Sequence, residues 1–285
     1  MRILFFKLFQ MAIVKIPKKL KDILNILRNG QIEEGLEQLD KIKDFEVQKA
    51  IVKAEINYFK GNYQEALLYD EQALPFDDQW YAGNILTEHL FAYSYSSILS
   101  GNFLQAEKFL KQFLLDKEKS ELPEHRVNFY RHQINHHLMK LNGEKKIIID
   151  PKELVIIENG NKQEEFVEQL KKYRSKLDYN SVEGAEYLLN FMFEKYNTIS
   201  ALEYYETYAD KIKNEDHHIS AARLYVKIDN KQRASEALLR FSCKAWFPVE
   251  HIQITPMKLW MFEDLQPIFT QELKNKILYS SKGNQ

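Results

Sequence analysis

Along the first half of the chain, apolar and small residues recur at helical spacing, and the runs are broken by pairings of glycine with asparagine. The clearest stretch runs from Ala54 to Leu67 and on to Ala73-Leu74-Pro75. Its pattern predicts a helix, a Gly61-Asn62 turn, the aromatic Tyr63, and a second helix with Ala66 and Ala73 on one face. Gly61 is expected to supply the positive φ that ends the first helix. Asn62 is expected to cap the second, and Tyr63 to fill the wedge between the two. Ala66 and Ala73 are small, so the two helices can approach closely.

The same pattern returns elsewhere. Gly101-Asn102-Phe103, Ala106, Phe109-Leu110 and Phe113 form a second copy, and Asn29-Gly30-Gln31-Ile32 with Gly35, Leu39 and Ile42 a fainter first one. The small positions Gly35, Ala66 and Ala106 lie 31 and 40 residues apart, the longer interval holding the insert Pro75–Trp80. Weaker copies follow at Asn197-Thr198, Ala201 and Tyr205, then at Asp229-Asn230, Ala234, Leu238 and Phe241, with 33 residues from Ala201 to Ala234.

On these residues the chain resembles the tetratricopeptide-repeat superfamily, whose unit is a helix–turn–helix of 34 residues. The resemblance covers about half of the chain and departs from the family at Asp70, where a bulky apolar residue is usual, and at Ser94, where alanine is usual. It implies an all-α fold, an α-α superhelix of antiparallel helix pairs. Two segments stand outside it. Residues 146–157 read either as a short β-hairpin or as a helix start with Asp150 as cap and Pro151 at the first position. The extended stretch Trp246–Pro256 leads to an atypical C-terminal cap built on Leu259, Trp260, Phe262, Leu265, Ile268 and Phe269, since a solenoid needs a terminal unit to cover its open core. The expected organisation is an extension (1–17), N-terminal repeats (18–143), a connector (144–162), C-terminal repeats (163–242) and a capping module (243–285).

Composition narrows the function classes. Forty basic and 41 acidic residues leave a formal charge of −1, which argues against a nucleic-acid stripe. The cluster Lys15, Lys18, Lys19 and Lys21 reads as a solvated helix start. No run reaches the roughly 18 apolar residues of a membrane span. Nine glycines and seven prolines in 285 residues favour few, long elements. The N-terminus Met1–Met11 is apolar but broken by Lys7, with a second possible start at Met11, so a cytoplasmic protein is expected. The alternative is a short amphipathic membrane anchor.

Candidate chemistry is sparse, and neither cofactor nor metal is expected. There is no glycine-rich phosphate loop, no His-Glu-x-x-His, no Gly-x-Ser-x-Gly and no Cys-x-x-Cys. His132 and His136 lie one helical turn apart with His125 two turns before them, a spacing that suits a metal or equally a solvated polar face. Asp216-His217-His218 matches a phosphoesterase tripeptide but also reads as the turn before a helix. Cys243, the single cysteine, reads as a small buried hydrophobe.

In the family, the first helix of each unit lines a groove. The resemblance therefore implies a partner-binding face made of Gln48, Ile51, Val52, Glu55, Tyr58 and Phe59 on one helix and Glu88, Phe91, Ala92 and Tyr95 on the next. Val52 and Ala92 replace the asparagines with which such modules clamp a C-terminal carboxylate. A helix or an apolar peptide is the better fit. The other possibility is that helices of this same chain cover these residues. The expected function is non-catalytic binding of a protein or peptide partner, in concrete form a bacterial toxin-neutralising (immunity or inhibitor) protein. The alternatives are a peptide or small-molecule sensor using the aromatic groove, and an all-helical enzyme with His132 and His136 as metal ligands.

Overall fold

The computed structural model describes residues 17–76, 84–143, 198–212, 216–241, Trp246 and 255–280. Every regular element among them is helical, so the chain is all-α. The N-terminal extension up to residue 16, the 146–157 segment and Cys243 lie outside the described residues. The chain divides into two compact units. Residues 1–144 and 242–285 form the first, and residues 145–241, inserted between them in sequence, form the second.

In the first unit, α1 (Lys18–Arg28) pairs with α2 (Ile32–Asp40), α3 (Glu46–Lys60) with α4 (Tyr63–Ala73), and α5 (Asn84–Ser100) with α6 (Phe103–Lys119), and α7 (Glu124–Leu141) packs on α5 and α6. The turns obey the local chemistry. Gly30, Gly61 and Gly101 have φ of +78°, +80° and +74°, a region that a side chain rarely enters. At each of these turns an N–H returns to a carbonyl five residues back, as from Asn62 to Asn57 at 3.0 Å and from Asn102 to Ser97 at 3.0 Å. That is the Schellman closure of a helix end. The small positions are buried as the pattern requires: Ala66 and Ala106 are sealed, and a Cβ on Gly35 would collide with the Leu27 side chain. Asn62 differs from expectation. It stands at the N-cap position, but its side chain makes no cap bond and donates instead to Asn57 Oδ1 at 3.2 Å.

The C-terminal module completes this unit. Thr255 accepts from the N–H of Met257 and opens a short 3-10 helix, Pro256–Met261, which packs on α5. Thr270 caps the last helix, α11 (Gln271–Tyr279), which packs on α3. Trp260 is the hub of an aromatic cluster, with ring centroids 5.7 Å from Tyr58, 6.4 Å from Phe59, 6.3 Å from Tyr63 and 5.4 Å from Phe269. Trp246 meets Phe59 edge-on at 5.3 Å. Tyr63 thus serves this module: its ring faces Trp260 and its hydroxyl accepts from Lys274 at 2.7 Å.

The second unit contains α8 (Thr198–Tyr208), α9 (Asp216–Lys227) and α10 (Lys231–Arg240). α9 and α10 form a hairpin whose left-handed residue is Asp229 (φ +58°) where the first unit uses glycine. Asn230 caps α10 by accepting from the Arg233 N–H at 3.2 Å, and Ala234 and Leu238 are buried.

Trp260→Ala is expected to lower the unfolding free energy by about 3–5 kcal/mol, as large core truncations do, read by chemical denaturation. Gly61→Ala should cost more than Gly101→Ala. Both share the backbone penalty of roughly 1–2 kcal/mol, but at Gly61 the new methyl would also press on Gln271, whereas no described residue lies within 4 Å at Gly101.

Candidate functional site

The groove-lining residues expected from the sequence do come together on α3 and α5. Gln48, Ile51, Val52, Glu55, Tyr58, Phe59, Glu88, Phe91 and Ala92 are buried, and Tyr95 is half-buried. The open groove is not what the structure holds. The chain's own Trp246, Pro256–Met261 and α11 lie against α3 and α5, so Tyr58, Phe59 and Glu88 face an interior. The physical reason is apolar area. Met257, Leu259, Trp260, Leu265, Ile268, Phe269, Leu273, Ile277 and Leu278 are all buried in this module. Each such side chain is stabilised by about 1.5–3 kcal/mol when removed from water.

Under the module lies a sealed polar cluster. Glu55, Asp70 and His89 have no exposed surface, and Glu88 is 2% exposed. The imidazole of His89 (α5) is held from both sides: Nδ1 lies 3.0 Å from Asp70 Oδ1 (α4) and Nε2 3.2 Å from Glu55 Oε1 (α3). Asp70 also accepts from the Tyr58 hydroxyl. Glu88 accepts from the Thr255 hydroxyl at 3.0 Å, tying α5 to the C-terminal module. The second oxygen of Glu55 has no hydrogen-bond partner among the described residues.

Burial and charge then set the protonation states. Burial alone would push the His89 pKa down, but the Asp70 carboxylate, its hydrogen bond and Glu55 outweigh it and lift the value to about 10. Both ring nitrogens therefore carry protons and donate to the flanking carboxyl oxygens. Burial pushes Glu55 up to about 8, partly opposed by His89, and Glu88 up to about 8, partly opposed by Lys258 and Thr255. Near neutral pH the cluster holds one imidazolium against Asp70, with Glu55 and Glu88 mostly protonated. That arrangement limits the cost of placing four ionisable groups in a dry interior.

The two departures from the repeat pattern both meet a histidine. Asp70 bonds His89, and Ser94 Oγ lies 2.9 Å from Nδ1 of the buried His137. Burial holds His137 well below its ordinary value, so it stays neutral. His89 and Thr255 escaped sequence reasoning. The one available signal was a carboxylate, Asp70, at an apolar position.

The other candidates fall apart in space. His125 and His132 are exposed, and no group of three or more metal-ligating side chains assembles among the described residues. His217 and His218 are buried in the first turn of α9. His218 Nδ1 lies 2.9 Å from the Tyr205 hydroxyl, and burial lowers its pKa to about 4. A cleft of about 430 Å³ is an open depression between Pro75 and the C-terminal half of α6 and does not reach the polar cluster. No helix among the described residues is long and apolar enough to cross a membrane. No family model, no curated protein and no solved structure matches the chain.

The cluster makes stability depend on pH with a definite sign. Glu55 and Glu88 rise from 4.5 to about 8 on folding, and His89 from 6.5 to about 10. All three bind protons more tightly in the folded chain, so their contribution is complete below the unfolded values and lost as pH rises through the folded ones. The melting temperature is expected to fall between about pH 6.5 and pH 8, because the lowered His137 and His218 oppose the effect below that window and Lys274, lowered to about 8, opposes it above; Glu88→Gln should flatten the slope within it. A titration of melting temperature by circular dichroism checks both. Loss of the imidazolium in His89→Ala should destabilise by about 3–5 kcal/mol, because Asp70 and Glu55 are left buried without it.

Proposed function

We propose that this chain is a non-catalytic helical-repeat protein of the tetratricopeptide type that works by binding another protein in the cytoplasm, in concrete form as a stoichiometric inhibitor of the immunity class. The observation that carries this reading is intramolecular. The inner face of α3 and α5 takes up a helical, aromatic-rich segment through ring packing around Trp260 and a few side-chain hydrogen bonds. That is the binding chemistry of a peptide-recognising helical surface, here used by the chain on itself.

Displacing the module to free the inner face would expose nine buried apolar side chains. At about 1.5–3 kcal/mol each, that matches or exceeds the roughly 5–15 kcal/mol net stability of a typical domain. A partner is therefore expected on the outer surface, with the inner face acting as the core that holds that surface rigid. The ionisable cluster supports the same view, since its members have no solvent-exposed route to a substrate.

The test is affinity isolation of the full chain from the cells that make it, with quantitative mass spectrometry and size-exclusion chromatography. A single protein recovered at a fixed molar ratio is the expected result. Recovery of no protein partner, together with a large rise in melting temperature on adding a small molecule, would replace this reading with a ligand sensor.

A further inference from the structure

The last helix treats successive hairpin turns unequally. α11 lies over the first two. The Tyr279 carbonyl stands so near Gly30 that a Cβ there would collide with it. At the second turn, Gln271 Nε2 donates to the Phe59 carbonyl at 2.7 Å, Gln271 Oε1 lies 2.7 Å from where a Gly61 Cβ would stand, and Lys274 donates to the Tyr63 hydroxyl. The third turn, between α5 and α6, repeats the Gly-Asn pair of the second between apolar or aromatic neighbours. Gly101 has nearly the φ of Gly61, and Leu99 and Phe103 flank it as Phe59 and Tyr63 flank Gly61. The Leu99 carbonyl is among the last four of its helix, which have no partner inside it.

Yet no described residue occupies that turn. Among the described residues no atom lies within 4 Å of a Gly101 Cβ position, and the rim is apolar and wet: Leu99 is 58% exposed, Phe103 41% and Leu104 83%. Large apolar side chains grouped on a surface mark an interaction site. One helical turn beyond Leu104, the exposed Lys108 has no ion-pair partner among the described residues.

We propose that the third turn is a docking site for an amphipathic helix of a partner protein, seated there as α11 is seated on the second turn. A side-chain amide in the first turn of that helix donates to the Leu99 carbonyl. Its apolar stripe covers Phe103 and Leu104, and an acidic residue meets Lys108. Two observations select this occupant. The site continues the row already covered by α11, and Lys108 supplies a charge for the partner to match. A lipid surface would leave the Leu99 carbonyl without a donor. The proposal rests on the protein-binding reading above and names its surface.

The test places a photo-crosslinking amino acid at position 104 of the full chain in the cells that make it, and in parallel at position 68, where Leu68 is 49% exposed on the second hairpin. The expected result is a single protein captured from position 104, with the adduct mapped to an amphipathic helix bearing a glutamine or asparagine and an acid. A synthetic peptide of that helix should bind the purified full chain. L99E/L104E should weaken binding at least about tenfold, as loss of central apolar anchors does, while Glu65→Ala leaves it unchanged. Capture of lipid, of a second copy of the chain or of a segment without that pattern overturns the proposal. Capture of a protein from position 68 but not 104 sinks this site and leaves the protein-binding reading standing. Adducts at neither position, with no partner in the affinity isolation, sink both.

Discussion

Trp260 has to be kept dry, and the first unit is organised around that requirement. The ring lies within 6.4 Å of four other aromatic rings drawn from α3, the start of α4 and the C-terminal module. Residues some 200 positions apart in sequence are thereby held together, and the inner face of α3 and α5 becomes a core. Without the module that face would present Tyr58, Phe59 and their neighbours to water. With it, the same residues give a closed unit whose remaining surface is defined by turns and outer helix faces.

Closing the face creates a second constraint, because carboxylates and a histidine are caught beneath it. Asp70 and Ser94 stand where a regular repeat would have apolar or small residues, and each is answered by a histidine across the helix interface. In the first case the pairing is charged: His89 bridges Asp70 and Glu55, and the hydroxyls of Tyr58 and Thr255 satisfy further oxygens. A buried arrangement of this kind adds little net stability against an apolar equivalent, but it is costly to break from one side. Its contribution is to specify which helices pair and where the C-terminal module begins. The Glu88–Thr255 bond stands at that junction.

A scaffold whose inner face is filled meets other molecules from outside, and its outside is uneven. α11 protects the first two turns and stops before the third, leaving leucine and phenylalanine side chains in water beside the exposed Lys108. Charged helix faces elsewhere are knitted by short-range pairs such as Lys41–Glu37 and Lys276–Glu272, exposed contacts that add solubility more than stability. The contrast sets the α5–α6 turn apart from the rest of the described surface.

The local structure was legible along the chain. Gly61 and Gly101 end their helices because no other residue adopts a positive φ so cheaply, and Ala66 and Ala106 lie at close helix contacts because a larger side chain would push the pair apart. These are short-range rules, and the residues involved are neighbours in sequence. The site was not legible in the same way. Sequence pattern placed Gln48 to Phe59 and Glu88 to Tyr95 on one face, but it could not say what lay against that face. The answer depends on where Trp246, Trp260 and α11 travel after an intervening unit of nearly a hundred residues. Whether an apolar face is a groove or a core is a question of what covers it, and only long-range packing, driven by the burial of large rings, decides that.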